Sequence, residues 1–363
     1  HANYTIPQRN HGYCTDDNAR AAIVAALYYG QYPDAEVLEL LDKYLAFTMH
    51  AQAEDGSIRN LMNFDRTWCS NEPAHDALGR AIWAFGTVIA NPPAPAYLSI
   101  IKDYFDRSAE HIITQSPRGL AYGILGMANY LKQFPGASDI KRHFCVCADM
   151  LKDIFEKNSD SHWKWFENVI TYDNAVLPHA LFVADMITQN RDYLDIATQS
   201  CDFLLERTYN GDSFSFVGNN GWLPRGGTKA DFDQQPIEPA STILMLRAAY
   251  DATENGEYLV LQRKAFDWFF GENDTRTSVY DFTTKGCCDA LTASGVNLNQ
   301  GAESTVCFLL SLVSIIESYA VIDKATGIES LTAPKNSLTP EIHVTEPTQN
   351  NSENIEDSLN KES

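Results

Sequence analysis

Positive charge is scarce in this chain of 363 residues. It has 27 Lys and Arg residues against 48 Asp and Glu residues, which gives a formal net charge of -21. No polybasic run interrupts this excess of acids. Because the long-range field of such a chain repels polyanions, we expect neither a nucleic-acid partner nor an anionic-membrane partner.

We also expect no membrane-spanning segment and no targeting segment. No run approaches the roughly 20 apolar residues that a membrane-spanning helix needs. The residues that follow His1 do not form a charged and then apolar leader. We therefore expect a cytoplasmic protein.

Motifs of metal, nucleotide and serine-nucleophile chemistry are absent. The cysteines form no C-x-x-C pair and the histidines are scattered, so we expect no metal site and no other cofactor. The G-x-S-x-G, P-loop, G-x-G-x-x-G and H-E-x-x-H motifs do not occur. These absences leave carboxylates as the groups that would carry out any chemistry.

Two kinds of helical segment alternate along the chain. Segments rich in small and apolar residues occupy 16–30, 76–90, 118–134, 173–189, 236–253 and 301–319. More charged, amphipathic segments lie between them, at 35–53, 94–113, 139–158, 191–209 and 257–270. A helix that is apolar on nearly every side is buried, whereas a helix with a charged stripe faces solvent. The alternation therefore predicts an all-α fold, an (α/α)6 toroid with the apolar helices inside; a stack of helical repeats is the alternative.

The same pattern sets the expected domain boundaries. Residues 1–320 form one toroid domain, whose remaining outer helix would precede His1 and is expected to be missing from this chain. Residues 321–363 form an acidic tail, which is rich in Ser, Thr, Asn, Pro, Glu and Lys towards its end. Such a composition cannot bury enough apolar surface to fold, so we expect the tail to be disordered.

Clusters of polar residues lie at the starts of the predicted inner helices. In the first cluster, at 13–20, two adjacent carboxylates, an amide and an arginine follow a tyrosine. Helix capping by Thr15, with acids favoured by the helix dipole, is the alternative explanation. In the second cluster, Asp76 and Arg80 stand four residues apart, so a simple ion pair on one helix face would account for them.

The third cluster, at 163–178, interleaves aromatic residues with a carboxylate and amides. Such a mixture suits a sugar site, because the apolar faces of pyranose rings stack on aromatic planes while their hydroxyl groups need donors and acceptors. Trp165 and Phe166 would also fit a hydrophobic core.

The last two clusters precede the fifth and sixth inner helices. A glycine-rich loop at 218–227 carries Trp222 and Arg225 and leads to Glu238, for which a capping box is the alternative explanation. The final cluster, at 280–305, ends with Glu303 in the first turn of a helix.

Taken together, six motifs resemble a bacterial glycosyltransferase-associated family of the six-hairpin glycosidase-like superfamily. They are Gly-Tyr-Cys-Thr-Asp-Asp-Asn-Ala-Arg at 12–20, Trp-Phe-Glu at 165–167, Thr-Tyr-Asp-Asn-Ala at 171–175, Gly-Trp-Leu-Pro-Arg-Gly-Gly at 221–227, Phe-Asp-Gln-Gln-Pro-Ile-Glu at 232–238 and Asn-Gln-Gly-Ala-Glu-Ser-Thr at 299–305. Members of that family are encoded beside, or fused to, group 1 glycosyltransferases and β-mannoside phosphorylases. The resemblance implies an (α/α)6 toroid, carbohydrate processing and a glycosyltransferase as a candidate partner.

We therefore expect an inverting glycoside hydrolase that acts on a neutral oligosaccharide or polysaccharide, a mannoside or a glucoside. Inversion uses one protonated and one ionised carboxyl group, about 6.5 to 9.5 Å apart. A helix start lowers the pKa of a carboxyl group, which makes Asp17 our candidate base; Glu238, in an apolar setting, is our candidate acid. Asp173 and Glu303 are reserve candidates. The substrate-binding candidates are Tyr13, Asp16, Asp76, Arg80, Glu167, Asn174, Trp222, Arg225, Asp233, Gln235, Asn299 and Gln300.

Two other functions suit the same residues. One is a non-catalytic protein that binds a glycan for a neighbouring glycosyltransferase, and the other is a sugar epimerase or lyase of the same fold. An epimerase is expected to place histidines in its pocket, and only His75 and His179 lie near the motifs. We expect a neutral glycan as substrate, because acids outnumber arginines in the motifs and would repel a polyanionic glycan unless the carboxylates recruit a divalent cation.

Overall fold

The computed structural model of the chain describes residues 1–70, 74–114 and 116–326, and the side chains of all these residues up to 321. Eleven α-helices dominate these ranges, with two short 3-10 helices and four two-stranded antiparallel ladders. The last helix runs beyond the predicted domain end at 320. The rest of the predicted tail, from 327 onward, lies outside the described residues.

The helices follow the predicted alternation. They are α1 (Thr15–Gln31), α2 (Ala35–Ala51), α3 (His75–Ala90), α4 (Pro95–Ala109), α5 (Pro117–Gln133), α6 (Ser138–Asn158), α7 (Val176–Thr188), α8 (Arg191–Thr208), α9 (Ile237–Thr253), α10 (Glu257–Asp267) and α11 (Ala302–Thr326). Each helix starts within three residues of its predicted start. The odd-numbered helices are the apolar segments, and the even-numbered helices are the charged ones.

The odd-numbered helices form a closed ring. Around the ring, α1 packs against α3, α3 against α5, α5 against α7, α7 against α9 and α9 against α11, and α11 returns to α1. Each even-numbered helix packs outside the inner helix that precedes it. The predicted (α/α)6 toroid is therefore confirmed. A stack of helical repeats is excluded, because the last inner helix closes on the first.

Burial explains why the two kinds of helix differ in sequence. Every residue of α3 from 77 to 89 is buried, since neighbours surround an inner helix on nearly all sides. Helix α2 buries only Leu41, Leu45, Thr48 and Ala51, which follow one another at helical spacing along a single face. Charged residues are tolerated on the remaining faces of α2, which contact water.

Helix α11 corrects one expectation drawn from the sequence. Its segment Ala302–Val321 is long and apolar enough, by composition, to cross a bilayer, with a mean hydropathy of 1.7. Half of this segment is buried inside the toroid, where it packs against α1, α9 and α10. The expectation that no apolar run reaches such a length is therefore wrong, because an inner helix needs the same composition.

Short ladders connect the loops at one end of the ring. They are β1 (Ala2–Asn3) with β2 (Ile6–Pro7), β3 (Tyr13–Cys14) with β4 (Leu61–Met62), β5 (Val169–Ile170) with β6 (Leu223–Pro224), and β7 (Ala290–Thr292) with β8 (Gly295–Asn297). Most of these strands lie in the loops that lead into inner helices. Because each outer helix returns the chain, the inner helices all begin at this end.

Glycines let α3 and α5 pack backbone against backbone. A Cβ atom added to Gly86 would lie 2.2 Å from the backbone oxygen of Gly126, and one added to Gly126 would lie 2.4 Å from that of Ile82. Nearer the helix starts, a Cβ atom on Gly79 would lie 2.3 Å from the backbone oxygen of Gly119. The close approach of the two helices therefore depends on the absence of side chains at these positions.

Replacing Gly86 by alanine should destabilise the fold, because the new methyl group would overlap backbone atoms of α5. We expect the free energy of unfolding to fall by about 1 to 3 kcal/mol, as in other overpacked cores. The matched control is Gly30→Ala in α1, where no described residue lies within 4 Å of the new Cβ. That variant should be unchanged or more stable by up to about 1 kcal/mol. Equal denaturant midpoints for the two variants would contradict this packing.

Candidate functional site

Most of the predicted site residues lie where the inner helices begin. The first turns of α1, α9 and α11 carry carboxylates, α3 carries an acid and an arginine, and the loop before α7 carries an acid and an amide. In that order, these residues are Asp16, Asp17, Glu238, Glu303, Asp76, Arg80, Asp173 and Asn174. The structure therefore brings together residues that are far apart in the sequence.

Arg20 is the centre of a cluster of three acids. It is 2% exposed, and its guanidinium nitrogens lie 2.5 Å from Asp16, 3.0 Å from Glu303 and 3.9 Å from Asp17. The three acids each present an oxygen within 4.8 Å of the others, a spacing that a hard cation would accept. Arg20 contacts all three acids, so its guanidinium offsets part of their negative charge.

Arg80 extends this cluster across the ring. Its Nε donates to the second carboxylate oxygen of Asp16 at 3.0 Å, and its Nη2 donates to Asp173 at 2.9 Å. The hydroxyl of Tyr122, on α5, also donates to Asp173, and the Arg80 guanidinium lies 3.7 Å from the centroid of the Tyr122 ring. Arg80 thus forms hydrogen bonds on both sides of the ring interior.

The pairing of Asp76 with Arg80 that the sequence suggested is wrong. Arg80 points into the ring, whereas Asp76 accepts hydrogen bonds from Ser116 at the start of α5 and from the hydroxyl of Tyr172. The two side chains are separated because Asp76 lies in the first turn of α3, beside the loop before α7. Asp76 therefore belongs to the rim of the site.

A second buried arginine organises this rim. Arg118, on α5, donates to Glu167 at 2.9 Å, to the hydroxyl of Thr171 at 2.9 Å and to the backbone oxygen of Tyr172 at 2.6 Å. Its guanidinium also lies 4.3 Å from the centroid of the Tyr172 ring. Glu167 is therefore anchored by an ion pair, with 28% of its side chain still exposed.

Glu238 is a buried carboxyl group without a cationic partner at ion-pair distance among the described residues. Its Oε2 accepts a hydrogen bond from Asn174 Nδ2 at 2.8 Å, while Oε1 is buried and has no partner there. Burial, together with the nearby charge of Asp173, raises the pKa of Glu238 to about 8, although Asn174 and Arg118 oppose the change. Glu238 is therefore mostly protonated at neutral pH.

Asp17 differs from the expectation that a helix start would lower its pKa. Burial, with a smaller effect of the negative charges of Asp16 and Glu303, raises the pKa of Asp17 to about 6, despite the attraction of Arg20. Desolvation outweighs the dipole here, because a helix terminus contributes only about 0.3 to 1 kcal/mol. Asp17 is still mostly ionised at pH 7, and 26% of its side chain is exposed.

Four predicted ligand-binding residues bond to the protein itself. Arg225 pairs with Asp160 after α6, and the indole of Trp222 donates to Asn219 of its own loop at 2.9 Å. Asn299 accepts from the backbone of Tyr4 at 3.0 Å. Gln300 is held by the side chains of Asp281 and Thr284.

The remaining candidates are Tyr13, which lies in the loop before α1, and Asp233 and Gln235, which lie in the loop before α9. Tyr13 is 38% exposed and stacks on Phe64, with ring centroids 6.2 Å apart. Asp233 and Gln235 are half-buried, and their backbone oxygens accept from Asn219 and Glu238 respectively.

Sequence reasoning missed several residues of the site. Tyr122 and Arg118 lie within a segment that the sequence predicts to be a buried helix, which gives no reason to expect polar groups of a site there. An arginine near the start of an otherwise apolar inner helix is the signal that the sequence offers for Arg118, since Arg20 and Arg80 also lie within the first six residues of inner helices. For Tyr122 the sequence offers no comparable signal.

A small cavity of about 20 Å³ lies inside the ring, below the helix starts. Its polar lining consists of Arg20, Arg80, Asp173, His179, Ser241 and Cys307. A volume of this size holds water but no sugar ring. Burial lowers the pKa of His179 to about 4, so its ring is neutral at physiological pH.

No family model and no curated protein matches the chain. Solved structures do resemble its fold. A cellobiose 2-epimerase from Spirochaeta thermophila is 11% identical and covers 89% of this chain and 90% of its own, with a TM-score of 0.67. A D-mannose isomerase is 10% identical over 84% and 88%, with a TM-score of 0.63.

A third similar structure is a GH76 α-mannanase from Bacteroides thetaiotaomicron. It is 9% identical over 86% of this chain and 88% of its own, with a TM-score of 0.59. These proteins belong to the six-hairpin glycosidase-like superfamily. At such low identities the likeness shows a shared fold and no more.

Removing Arg80 should be far more costly than removing a surface arginine, because Asp16 and Asp173 would lose their shared cation. We expect Arg80→Met to lower the free energy of unfolding by about 3 to 5 kcal/mol. The control is Arg142→Met, which removes an exposed pair with Asp139 and should cost less than about 1 kcal/mol. Urea denaturation measures both. A loss for Arg80→Met no greater than for the control would refute the bridging role of Arg80.

Proposed function

We propose that the chain is an inverting glycoside hydrolase that acts on a neutral oligosaccharide, a mannoside or a glucoside, at the N-terminal end of its inner ring. The observation that carries this proposal is the pair of carboxyl groups whose pKa values lie on either side of neutrality. At pH 7 Glu238 is mostly protonated and Asp17 mostly ionised. A protonated and an ionised carboxyl group are what inverting hydrolysis requires.

Each of the two carboxyl groups transfers one proton in the reaction. Glu238 donates its proton to the glycosidic oxygen as the bond from that oxygen to the anomeric carbon breaks. Asp17 takes a proton from a water molecule, whose oxygen attacks the anomeric carbon from the opposite face. Solvent then returns a proton to Glu238 and removes one from Asp17, which restores both groups.

Access to Glu238 requires movement of the residues that cover it. Its side chain lies beneath Asp173 and Asn174 and is 5% exposed. Its Oε1 is the atom available to a glycosidic oxygen, because Oε2 already accepts from Asn174. Hydrogen bonds of this kind often tighten or rearrange only when substrate is bound.

A sugar isomerase or epimerase is the second candidate, and His179 is the observation that favours it. This histidine lines the ring interior beside Arg80 and Asp173, and proteins of this fold include a D-mannose isomerase and a cellobiose 2-epimerase. With its pKa near 4, however, His179 is a weak base for removing a proton from carbon. We therefore rank hydrolysis first.

One experiment separates these candidates. The protein is incubated with neutral β-mannosides, α-mannosides and β-glucans in deuterated water, and the products are followed by NMR. Hydrolysis with inversion gives a product of the opposite anomeric configuration. Epimerisation or isomerisation leaves the glycosidic bond intact and incorporates deuterium beside the carbonyl carbon. Binding without turnover would indicate a glycan-binding partner of a glycosyltransferase, and would refute the proposed hydrolysis.

Replacing either carboxylic acid by its amide should slow hydrolysis. We expect Asp17→Asn and Glu238→Gln each to reduce kcat/KM by about 10² to 10⁴, because each removes one proton transfer. Asp103→Asn, in an exposed ion pair with Arg107, is the matched control and should behave as wild type. Near-normal rates in the first two variants, with a collapse in Asp173→Asn or Glu303→Gln, would show that the reserve carboxylates carry out the reaction.

The pH profile of kcat/KM should be bell-shaped. Asp17 must be ionised, so activity should fall as the pH drops below about 6; Glu238 must be protonated, so activity should fall as the pH rises above about 8. The residual activity of Glu238→Gln should lack the alkaline limb, and that of Asp17→Asn should lack the acidic limb. Limbs that survive in both variants would assign the titration to other groups.

The substrate should be neutral. Asp17 and Glu303 are the two most exposed acids beside Arg20, and a uronic-acid ring would approach them against their negative charge. Calorimetry with neutral and uronic-acid oligosaccharides of equal length, with and without a chelator, measures this preference. We expect tighter binding of the neutral sugars. Tighter binding of the uronic acids that persists in the chelator would contradict it and favour a lyase.

A further inference from the structure

Asn174 is a buried amide that links the proposed acid to the turn before α7. It is fully buried, and its Nδ2 donates to Glu238 Oε2 at 2.8 Å and to the backbone oxygen of Thr171 at 3.1 Å. Its Oδ1 accepts from the backbone nitrogen of Thr171 at 2.9 Å. Both hydrogens of the amide nitrogen therefore have an acceptor inside the protein, and neither is left for a sugar hydroxyl.

The orientation of this amide is fixed by Thr171. A backbone N–H group can only donate, so the atom of Asn174 that faces it must be the oxygen, and the nitrogen must face Glu238. Arg118 holds the turn, because it donates to the hydroxyl of Thr171 at 2.9 Å and to the backbone oxygen of Tyr172 at 2.6 Å. The amide cannot rotate without breaking its bonds to Thr171, so Glu238 always meets a donor at Oε2.

The two oxygens of Glu238 consequently differ. In a neutral carboxyl group the carbonyl oxygen is the better acceptor, and the other oxygen carries the proton. A donor fixed at Oε2 therefore favours the proton on Oε1, which is buried and has no partner among the described residues. A buried O–H group without an acceptor is unfavourable, and an ether oxygen placed beside Oε1 would relieve that cost.

We propose that Asn174 is a positioning residue, which holds the proton of Glu238 on Oε1 so that this proton faces the glycosidic oxygen, and which binds no part of the sugar itself. This inference rests on the proposed function and adds to it the placement of the acid's proton. It takes the place of the expected contact between Asn174 and a sugar hydroxyl.

The charges around Glu238 set the direction of the expected pH effect. Burial raises the pKa of Glu238 most, and the carboxylate of Asp173 adds to this rise. The hydrogen bond from Asn174, the charge of Arg118 and the backbone of Asp173 lower it. Asn174 has this effect because a hydrogen bond to the ionised carboxylate favours that form. Removing the donor should therefore raise the pKa of Glu238.

The first test is the infrared spectrum of Asn174→Leu, a variant that keeps much of the side chain's shape and removes the donor. Difference spectra of the full chain against Glu238→Gln report the carboxylic-acid C=O stretch of Glu238 without any substrate. In wild type this band should be present at pH 7 and fade as the pH rises through about 8. In Asn174→Leu it should lie at higher frequency, because the carbonyl oxygen has lost its hydrogen bond, and it should persist to higher pH.

The second test is the kinetics of the same variant with the neutral mannoside or β-glucan that wild type hydrolyses. Asn174→Leu should reduce kcat by about tenfold to a hundredfold, because the proton is no longer fixed towards the leaving oxygen. KM should stay within about twofold, and the alkaline limb of kcat/KM should move to higher pH. Asn129→Leu, which removes a hydrogen bond from α5 to Thr87 on α3, is the matched control and should leave both readouts unchanged.

Thermal unfolding of each variant separates a loss of position from a loss of fold. If Asn174→Leu does not fold, Asn174→Ala gives the same two readouts, with changes in the same direction.

The failures of the two proposals are distinguishable. If wild type hydrolyses a glycan but Asn174→Leu leaves the infrared band and the alkaline limb in place, the positioning role is refuted and the proposed function stands. A higher KM with an unchanged kcat would also refute this role, because Asn174 would then bind the sugar. If the band behaves as expected but no glycan is hydrolysed, the proposed function is rejected and only the placement of the proton on Oε1 stands.

Discussion

Asp16 lies between two buried guanidinium groups, and the rest of the site depends on this bridge. One of its oxygens accepts from Arg20 at 2.5 Å and the other from Arg80 at 3.0 Å. Arg20 continues to Glu303 of α11, and Arg80 continues to Asp173 before α7. Charges removed from water are tolerated only where opposite charges and hydrogen bonds replace their hydration. The alternating acids and arginines therefore fix the helix starts relative to one another.

This alternation also decides which carboxyl groups are left to react. Although burial opposes them, Arg20 and Arg80 lower the pKa of Asp16, so this acid is committed to the ionised state. Glu238 forms no ion pair in the described residues, and for Asp17 burial outweighs the attraction of Arg20. Asp16 is therefore a permanent counter-ion of the arginines, whereas Glu238 and Asp17 can exchange protons near neutral pH.

The sequence predicted the fold better than the site. Helical periodicity and the contrast between apolar and charged segments depend on which faces of a helix contact water. Each helix therefore carries this information in its own segment of the sequence. The partner of Arg80 depends instead on ring closure, which joins residues far apart in the chain. The spacing along the helix therefore predicts Asp76, four residues away, as the partner of Arg80. The hydrogen bonds of Asn299 with Tyr4 and of Gln300 with Asp281 also join different loops, and nothing in the sequence indicates them.

The strained turn at 171–174 positions several residues of the site. Asp173 has a φ of 43°, a left-handed conformation that costs a residue with a side chain about 1 to 3 kcal/mol and persists only where surrounding contacts enforce it. Three contacts enforce it: Arg80 donates to the carboxylate of Asp173, Arg118 donates to the backbone oxygen of Tyr172, and Asn174 accepts from the backbone of Thr171. The turn lets consecutive side chains diverge, Tyr172 towards solvent and Asp173 into the ring. A shift of the Arg80 bridge would therefore move Tyr172 and Asn174, the hydrogen-bond donor to Glu238, together.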